Sequence, residues 1–499
     1  METQLATVSF GQRLAELARE APQRPAVVLV PTSGHDVVLT RGDLDRWSNR
    51  IAHLLAEHDV TRGSTVALAL GNCLEEVAAA FAVWKLGGCV LPMSPGVPAS
   101  ERDAMLGLGE VGLTLSEWLD TSIPNLGRAD LAAADRYPDT TLPDVVSAPG
   151  KAIGTGGSTG RPKIIVDRSP WVHFDIDPAG TLFGQLGFRM GQRQLVAGPL
   201  YHGFGFDWTF RGLMWEHVVV LLERFDAERA VAAIERHRIE YAGFVPTMMR
   251  RILHLPGIRD RDLSSLEAIM HTAAPCPPAV KRGWIDLIGA EKVYEGYGGA
   301  EGFGNTVIRG DEWLAHEGSI GRPVAGVEVR VLDEDGREPP RGEVGGIYVR
   351  RAGGEVRNPY VGAPAPTYTP DGFTTFGDLG WVDEDGYVYL ADRRTDMIVT
   401  GGVNVYPAEV EAALLEHPAI ADAVVVGLPD EEWGRRVHAV YAVVEGAPPP
   451  SDDELRDHAR ARLAGPKVPK TWERVERVPR DAAGKIRRSA LADARTGGD

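Results

Sequence analysis

Residues Gly154 to Ile164 run GTGGSTGRPKI, four glycines set among Thr155, Ser158 and Thr159 and closed by Arg161, Pro162 and Lys163. Glycine lets successive backbone N–H groups turn toward an anion and approach it closely, the hydroxyls add donors, and a cation balances the charge. The common nucleotide loop has Gly-Lys-Ser/Thr opening a helix, whereas here Arg161 and Pro162 follow Gly160. A flexible Gly/Ser linker has no use for Pro-Lys running straight into Ile164-Ile165-Val166. The stretch therefore points to a phosphate-holding loop.

The rest of the chain bounds what such a turn can serve. At 499 residues it exceeds one ordinary core, so a large subdivided body and at least one smaller domain are expected. A hydrophobic fraction of 43% and a charged fraction of 25% are those of a globular protein. The 53 basic residues against 70 acidic ones, −17 net, argue against nucleic acid or an anionic membrane as partner, so phosphate must be captured locally. Three cysteines, Cys73, Cys89 and Cys276, have no metal-ligand spacing, and neither a leader nor a spanning segment stands out. A cytoplasmic protein is the expectation.

Apolar periodicity predicts a helix over 10–20, a strand over 26–30, a helix over 40–57, a strand over 65–70, a helix over 75–86 and a strand over 89–92. Strand, helix and strand in that order imply parallel pairing. Residues 120–147, rich in Asp, Pro and Ala, lack periodicity and suggest a surface excursion. After the glycine-rich turn the alternation resumes through 195–297, giving a layered α/β body with its ligand at the carboxyl ends of the strands. From Gly318 short strands with Asp-Gly turns predict an antiparallel β-rich subdomain. A compact α+β unit follows Asp396, and its Ser451-x-x-Glu454 is a capping box.

Six stretches stand in the order of one family: TGGSTGRPK from Thr155, PLYHG from Pro199, YGGAE from Tyr297, FGDLGW from Phe376, DRRTDMIVTGGVNVYPAEVE from Asp392 and PRDAAGKIRR from Pro479. Together they resemble the adenylate-forming superfamily of acyl-CoA ligases, peptide-synthetase adenylation domains and beetle luciferases, and most closely its acyl-CoA ligase branch. The resemblance implies an N-terminal domain over 1–394, a mobile C-terminal domain over 395–499 and a hinge at Thr395. It also implies ATP or acyl-AMP, CoA and magnesium as cofactors, and a small carboxylic acid as substrate.

It implies roles residue by residue. Thr155, Gly157, Ser158, Thr159, Gly160 and Lys163 would hold phosphates; Tyr297 and Gly298 would face adenine; Asp378 would take the ribose hydroxyls, with Arg393 beside them. Glu301 would carry magnesium, a hard-oxygen task, and Lys485 would offset charge as the carboxylate attacks phosphorus. His202 would gate the thiol route. Phe204, Phe206, Ala274, Gly299 and Gly302 would shape the acyl pocket, with Phe206 and Trp208 in an apolar wall and Gly302 and Gly304 leaving room for a bulky acid. Gly401 and Gly402 would present the thiol-side face, with Arg435 and Arg436 as candidate contacts for the CoA phosphates.

The sequence departs from the family pattern at four places. Gly156 and Ala300 replace residues with hydroxyls, Ile164 replaces glycine, and Phe376 replaces threonine. Each lost charge-assisted hydrogen bond is worth about 1.5 to 3 kcal/mol, so adenylation is expected to slow by about 10² to 10⁴. A β-branched residue at 164 would resist φ > 0 and disturb closure of the loop. An acid–thiol ligase follows, with adenylation weakened or lost, in the latter case drawing acyl-AMP from a separate adenylating enzyme. Two alternatives stay open: an enzyme loading the pantetheine thiol of a carrier protein, and a degenerate adenylate-binding protein.

Overall fold

The computed structural model describes residues 7–156, 162–174, 176–177, 181–353, 358–481 and 484–496. Two large sheets and a separate small one organise them. The first sheet has thirteen strands. Its parallel part runs in space Pro25–Val30, Val218–Leu222, Arg193–Val196, Tyr241–Phe244, Ala268–His271 and Val293–Gly298. Of these, Pro25–Val30 and Val218–Leu222 are the largely buried, β-branched runs expected of strands covered on both faces. Beyond Val293–Gly298 the same sheet turns antiparallel, through Asn305–Arg309 and Ser319–Pro323 into Val388–Arg393, Asp378–Val382, Gly345–Arg351 and Val327–Leu332. The Asp-Gly turns thus extend the main sheet.

The second sheet, of seven strands, contains the parallel trio Cys89–Pro92, Thr65–Ala69 and Val111–Ser116. The glycine-rich turn caps a hairpin at its other side: Lys151–Gly156 pairs antiparallel with Pro162–Asp167, Gly156 opposite Pro162. Between the sheets lies an aromatic core in which Trp84 meets Phe10, Phe81, Trp171, Phe206 and Phe210 at 4.8 to 5.9 Å between ring centres. The helix Leu74–Lys85 crosses this core, which explains its near-continuous apolar run. The excursion over 120–147 is more ordered than expected. It forms the helix Arg128–Ala132, whose Leu131 is buried and whose Leu131 carbonyl accepts from Trp47 Nε1 at 3.4 Å. An isolated turn of helix carries too few apolar residues for periodicity to show.

The segment from Ile398 on has its own sheet, Ile420–Asp430, Gly434–Val443 and Thr471–Arg474. Its own core includes Val410, Leu414, Val425, Val437 and Leu455. Ser451 caps Asp452–Arg460, its hydroxyl accepting from the Glu454 N–H at 3.2 Å. Among the described residues no helix is long and apolar enough to cross a membrane.

One buried group makes the fold sensitive to acid. His271, at the end of Ala268–His271, is fully buried beside the Lys281–Glu295 ion pair, and neither ring nitrogen has a hydrogen-bond partner among the described residues. Burial pushes its pKa down to about 4. In the unfolded chain it titrates near ~6.5, so below that pH the unfolded state gains a proton the native state refuses. Stability falls as pH drops from about 6.5 toward about 4, by at most about 2 kcal/mol at pH 5. His271→Leu is expected to raise the melting temperature at pH 7, because it removes two unpaired polar atoms, and to raise it further at pH 5. Equal shifts at both pH values, measured by calorimetry, would contradict the assignment.

Candidate active site

Strand register builds the nucleotide corner. Asp378 and Arg393 are cross-strand partners at the start and end of Asp378–Val382 and Val388–Arg393, so their side chains meet, Arg393 Nε 3.5 Å from Asp378 Oδ1. Tyr297, near the carboxyl end of Val293–Gly298, donates its hydroxyl to Asp378 Oδ2 at 2.6 Å. Burial, then the neighbouring carboxylate, pushes the Tyr297 phenol far up, so it stays a donor at any ordinary pH. Phe376 stands against the Tyr297 ring at 5.8 Å, edge to face, and stacks on Phe303 at 5.1 Å. Phe376 thus supplies an apolar buttress to the ring expected to face adenine.

The phosphate corner adjoins it. Lys163 Nζ lies 3.9 Å from Glu301 Oε1 and 3.8 Å above the Tyr360 ring. Tyr360, in the strand Tyr360–Val361 paired with Ile165 and Ile164, donates its hydroxyl to Glu301 Oε1 at 2.7 Å. Asn358 Nδ2 donates to the Ala300 carbonyl at 2.6 Å. Burial and, to a lesser degree, Arg393 lower the Lys163 pKa, with Glu301 opposing them. The Glu301 carboxylate is a hard oxygen ligand that suits magnesium, which keeps its waters and binds mainly through substrate phosphates; no group of three or more Asp, Glu, His or Cys able to hold a metal occurs among the described residues. Gly157, Ser158, Thr159 and Gly160 lie outside the described residues, as does the side chain of Thr155.

Ile164 is a correction. It lies in regular strand, opposite Gly154 on one side and Val361 on the other, and is fully buried with Met105 and Leu106. No positive φ is required of it, so a β-branched residue suits the position. The predicted disturbance of loop closure has no basis here.

Lys485 reaches this corner from the small domain. Lys485 is an exposed residue whose ammonium lies within electrostatic range of Arg393, Asp481 and Glu301, and partial desolvation, followed by Arg393, lowers its pKa. The loop that carries it is braced. The backbone N–H of Lys485 donates to Asp481 Oδ1 at 2.8 Å, and Arg480 Nη1 donates to the Gly484 carbonyl at 3.1 Å. Arg480 also forks onto Asp422 at 2.8 and 2.9 Å. Gly484, at φ +74, packs so closely on Thr247 that a Cβ would lie 2.6 Å from its hydroxyl. Only glycine fits there.

His202 precedes the helix Gly203–Met214 and faces Asp481 and Lys485; burial, then Lys485, holds its pKa down at about 4. On that helix Phe204 lies over Gly243, whose added Cβ would meet it at 2.7 Å, and packs on Trp208 at 4.8 Å. Trp208 Nε1 donates to the Tyr241 hydroxyl at 2.9 Å. Phe206 is a second correction. Two positions along a helix is about 200° around it, so Phe206 points the other way, into the core with Trp84 and Phe210. Nor do the glycines offer open volume. A Cβ on Gly299 would strike Glu301 Oε2 and Phe376, one on Gly304 would strike Val327, and Gly302 turns at φ +70 against Asn358. Ala274, half-buried, follows the strand Ala268–His271.

Gly401, Gly402, Arg435 and Arg436 share one exposed end of the small domain. The Gly401 N–H donates to the Trp433 carbonyl at 2.9 Å and its Cα lies against the indole. Arg435 is exposed, while Arg436 donates to the Pro429 carbonyl at 2.8 Å and lies 3.6 Å from Asp430. Thr395 is exposed, between Arg393 and the first strand of that domain. Sequence reasoning missed Tyr360, Asn358, Arg480 and Asp481. Arg480 and Asp481 lie inside a quoted motif, PRDAAGKIRR, and could have been found; Tyr360 is set beside Glu301 only by strand pairing.

Residues 14–356 match the AMP-binding enzyme family, and 409–485 match the AMP-binding enzyme C-terminal domain. The chain belongs to the AMP-binding enzyme family. It is 31% identical to a 2-succinylbenzoate–CoA ligase of Bacillus licheniformis, over 96% of this chain and 98% of that one. It is 32% identical to the fatty acid–[acyl-carrier-protein] ligase ScoC of Streptomyces coeruleorubidus, over 99% and 96%. Its fold superposes on the o-succinylbenzoate CoA synthetase of Bacillus subtilis in complex with its acyl-adenylate intermediate, with a TM-score of 0.82 and 27% identity, covering 99% of this chain and all of that one.

Proposed function

We propose that this enzyme is an AMP-forming acyl-CoA synthetase that joins a carboxylic acid to the thiol of CoA through an acyl-adenylate. One observation carries the reading: Lys485 arrives from a separately folded unit at the corner formed by Glu301, Arg393 and His202. In the first step a carboxylate oxygen attacks the α-phosphorus of ATP and pyrophosphate leaves. Lys485 and Lys163 offset the charge on the phosphates, and Tyr297, Asp378 and Arg393 orient the nucleoside. Glu301 would hold magnesium, which would supply neutralisation of phosphate charge. In the second step the thiol sulfur attacks the acyl carbon and AMP leaves. His202, with its pKa near 4, is neutral and hydrogen-bonds there without storing a proton.

Movement of 395–499 about Thr395 would separate the two steps, replacing the Lys485 loop with the Gly401-Gly402 end. Adenylation is weakened in this reading, because Gly156 and Ala300 offer no hydroxyl to the phosphates; the seat of Lys485 speaks for weakening over loss, and so against dependence on a separate adenylating enzyme. The test screens carboxylic acids with ATP for pyrophosphate release and, separately, the matching synthetic acyl-adenylates with CoA for thioester. Adenylation slower than thioesterification by about 10² or more is expected. Pyrophosphate release that keeps pace with thioester formation refutes weakening, and absence of thioester from every adenylate refutes the enzyme class.

The resemblance to a carrier-protein ligase favours a second acceptor, a protein-bound pantetheine. The two acceptors share the thiol and differ in the CoA nucleotide, toward which Arg435 and Arg436 are the candidate contacts. Rates with CoA and with free pantetheine separate them: a strong preference for CoA that is lost in Arg435→Ala supports the CoA reading.

A further inference from the structure

A buried guanidinium takes part in seating the small domain on the body. Arg250, on the helix Pro246–Leu253, is 9% exposed and donates to three carbonyls of the small domain: Nε to Ala421 at 2.8 Å, Nη1 to Leu415 at 3.2 Å and Nη2 to Ile420. Leu415 ends the helix Pro407–Leu415, so its carbonyl is one of the unpaired acceptors at the negative end of a helix dipole. Thr247, one turn earlier on the same helix, is the residue against which Gly484 packs. The contact continues inward. Ala421 is followed by Asp422, whose carboxylate holds Arg480, and Arg480 holds the Gly484 carbonyl next to Lys485.

We propose that Arg250 is a positioning residue that latches the small domain in the pose that delivers Lys485, and that its release controls passage from adenylation to thioesterification. The inference rests on the two-step reading above. Three facts favour a latch over ordinary packing. The acceptors are main-chain carbonyls of one rigid unit, so they are made or lost together. Carbonyls carry only partial charge, so the desolvated guanidinium is held by backbone dipoles, with the Asp422 carboxylate acting on it through space; burial lowers its pKa to about 10, and it remains charged at neutral pH. The other seam from the Lys485 loop, Arg487 to Glu101 at 2.9 Å, has an exposed arginine and contributes little.

The test measures pose without any substrate. Nitroxides at Leu119→Cys on the body and Asp453→Cys on the small domain, in a Cys276→Ser background, report the distance between the units by pulsed electron resonance. Leu119 is fully exposed and the Asp453 side chain is 89% exposed, while Cys73 and Cys89 are buried. The unsubstituted latch is expected to give one dominant distance. Arg250→Ala should shift the closed-to-open ratio by about tenfold or more, with Arg250→Lys between the two because an ammonium cannot reach all three carbonyls. An unchanged distribution in Arg250→Ala at unchanged melting temperature overturns the latch. Should Arg250→Ala not fold, Arg250→Lys decides by the same criterion. A shifted distribution in an enzyme that makes no thioester leaves the latch standing and removes the function.

Discussion

Lys485→Ala is expected to lower acid-dependent pyrophosphate release by about 10² to 10³ while leaving thioester formation from a supplied acyl-adenylate nearly intact. The size follows from position. Partial desolvation and the charge of Arg393 lower the Lys485 pKa, so the unliganded corner holds more positive charge than it favours. An incoming triphosphate relieves that repulsion, and the charge that builds as the carboxylate attacks phosphorus relieves it further. This is stabilisation present mainly in the transition state and therefore visible in kcat. The brace of Arg480, Asp481 and Gly484 fixes the backbone from which the Lys485 side chain extends. The half-reactions are assayed separately, by released pyrophosphate and by mass of the thioester. Equal losses in both would show that Lys485 supports the site as a whole.

Asp378→Asn should act in the other kinetic parameter, raising the KM for ATP by about 10² with a smaller change in kcat. The carboxylate is 9% exposed, accepts from Tyr297 on one oxygen and lies beside Arg393 with the other. It is thus held by the protein and still offers lone pairs to ribose hydroxyls. Two charge-assisted hydrogen bonds at about 1.5 kcal/mol each amount to the stated effect. They exist in ground and transition states alike, which is why KM carries it. Asparagine keeps an acceptor for the Tyr297 hydroxyl, so the fold should persist. The measurement is ATP saturation with calorimetric AMP binding as a check; a KM within twofold of the unsubstituted enzyme rejects the role.

The motif residues and their geometry were legible to different degrees. Asp378 and Arg393 were each readable from a motif, and the strand register sets them side by side. The adenylate corner thus follows from local pattern plus sheet pairing. Phe206 shows where reading by proximity in sequence fails. It is adjacent to Phe204 in pattern, but helical geometry sends the two rings to opposite faces. Ile164 shows the reverse error, a family glycine taken to demand a special backbone conformation where this chain runs in plain strand. The glycines at 299, 302 and 304 suggested empty volume, yet side chains from 301, 327, 358 and 376 occupy it, and no local rule reports what long-range packing brings in.

By itself the sequence determined the alternation that makes a parallel α/β body, the short-strand region after it and a separately cored final unit, and it marked out a glycine-rich loop within the body. All of these are written in local periodicity and turn chemistry. Tertiary structure alone decided that Tyr360 shares Glu301 with Lys163, that Arg250 clasps the small domain through three carbonyls, and that Lys485 comes within electrostatic range of Arg393. Carbonyl acceptors carry no side-chain signature, and residues from 59 to 171 positions apart meet only because sheet order and domain seating bring them together.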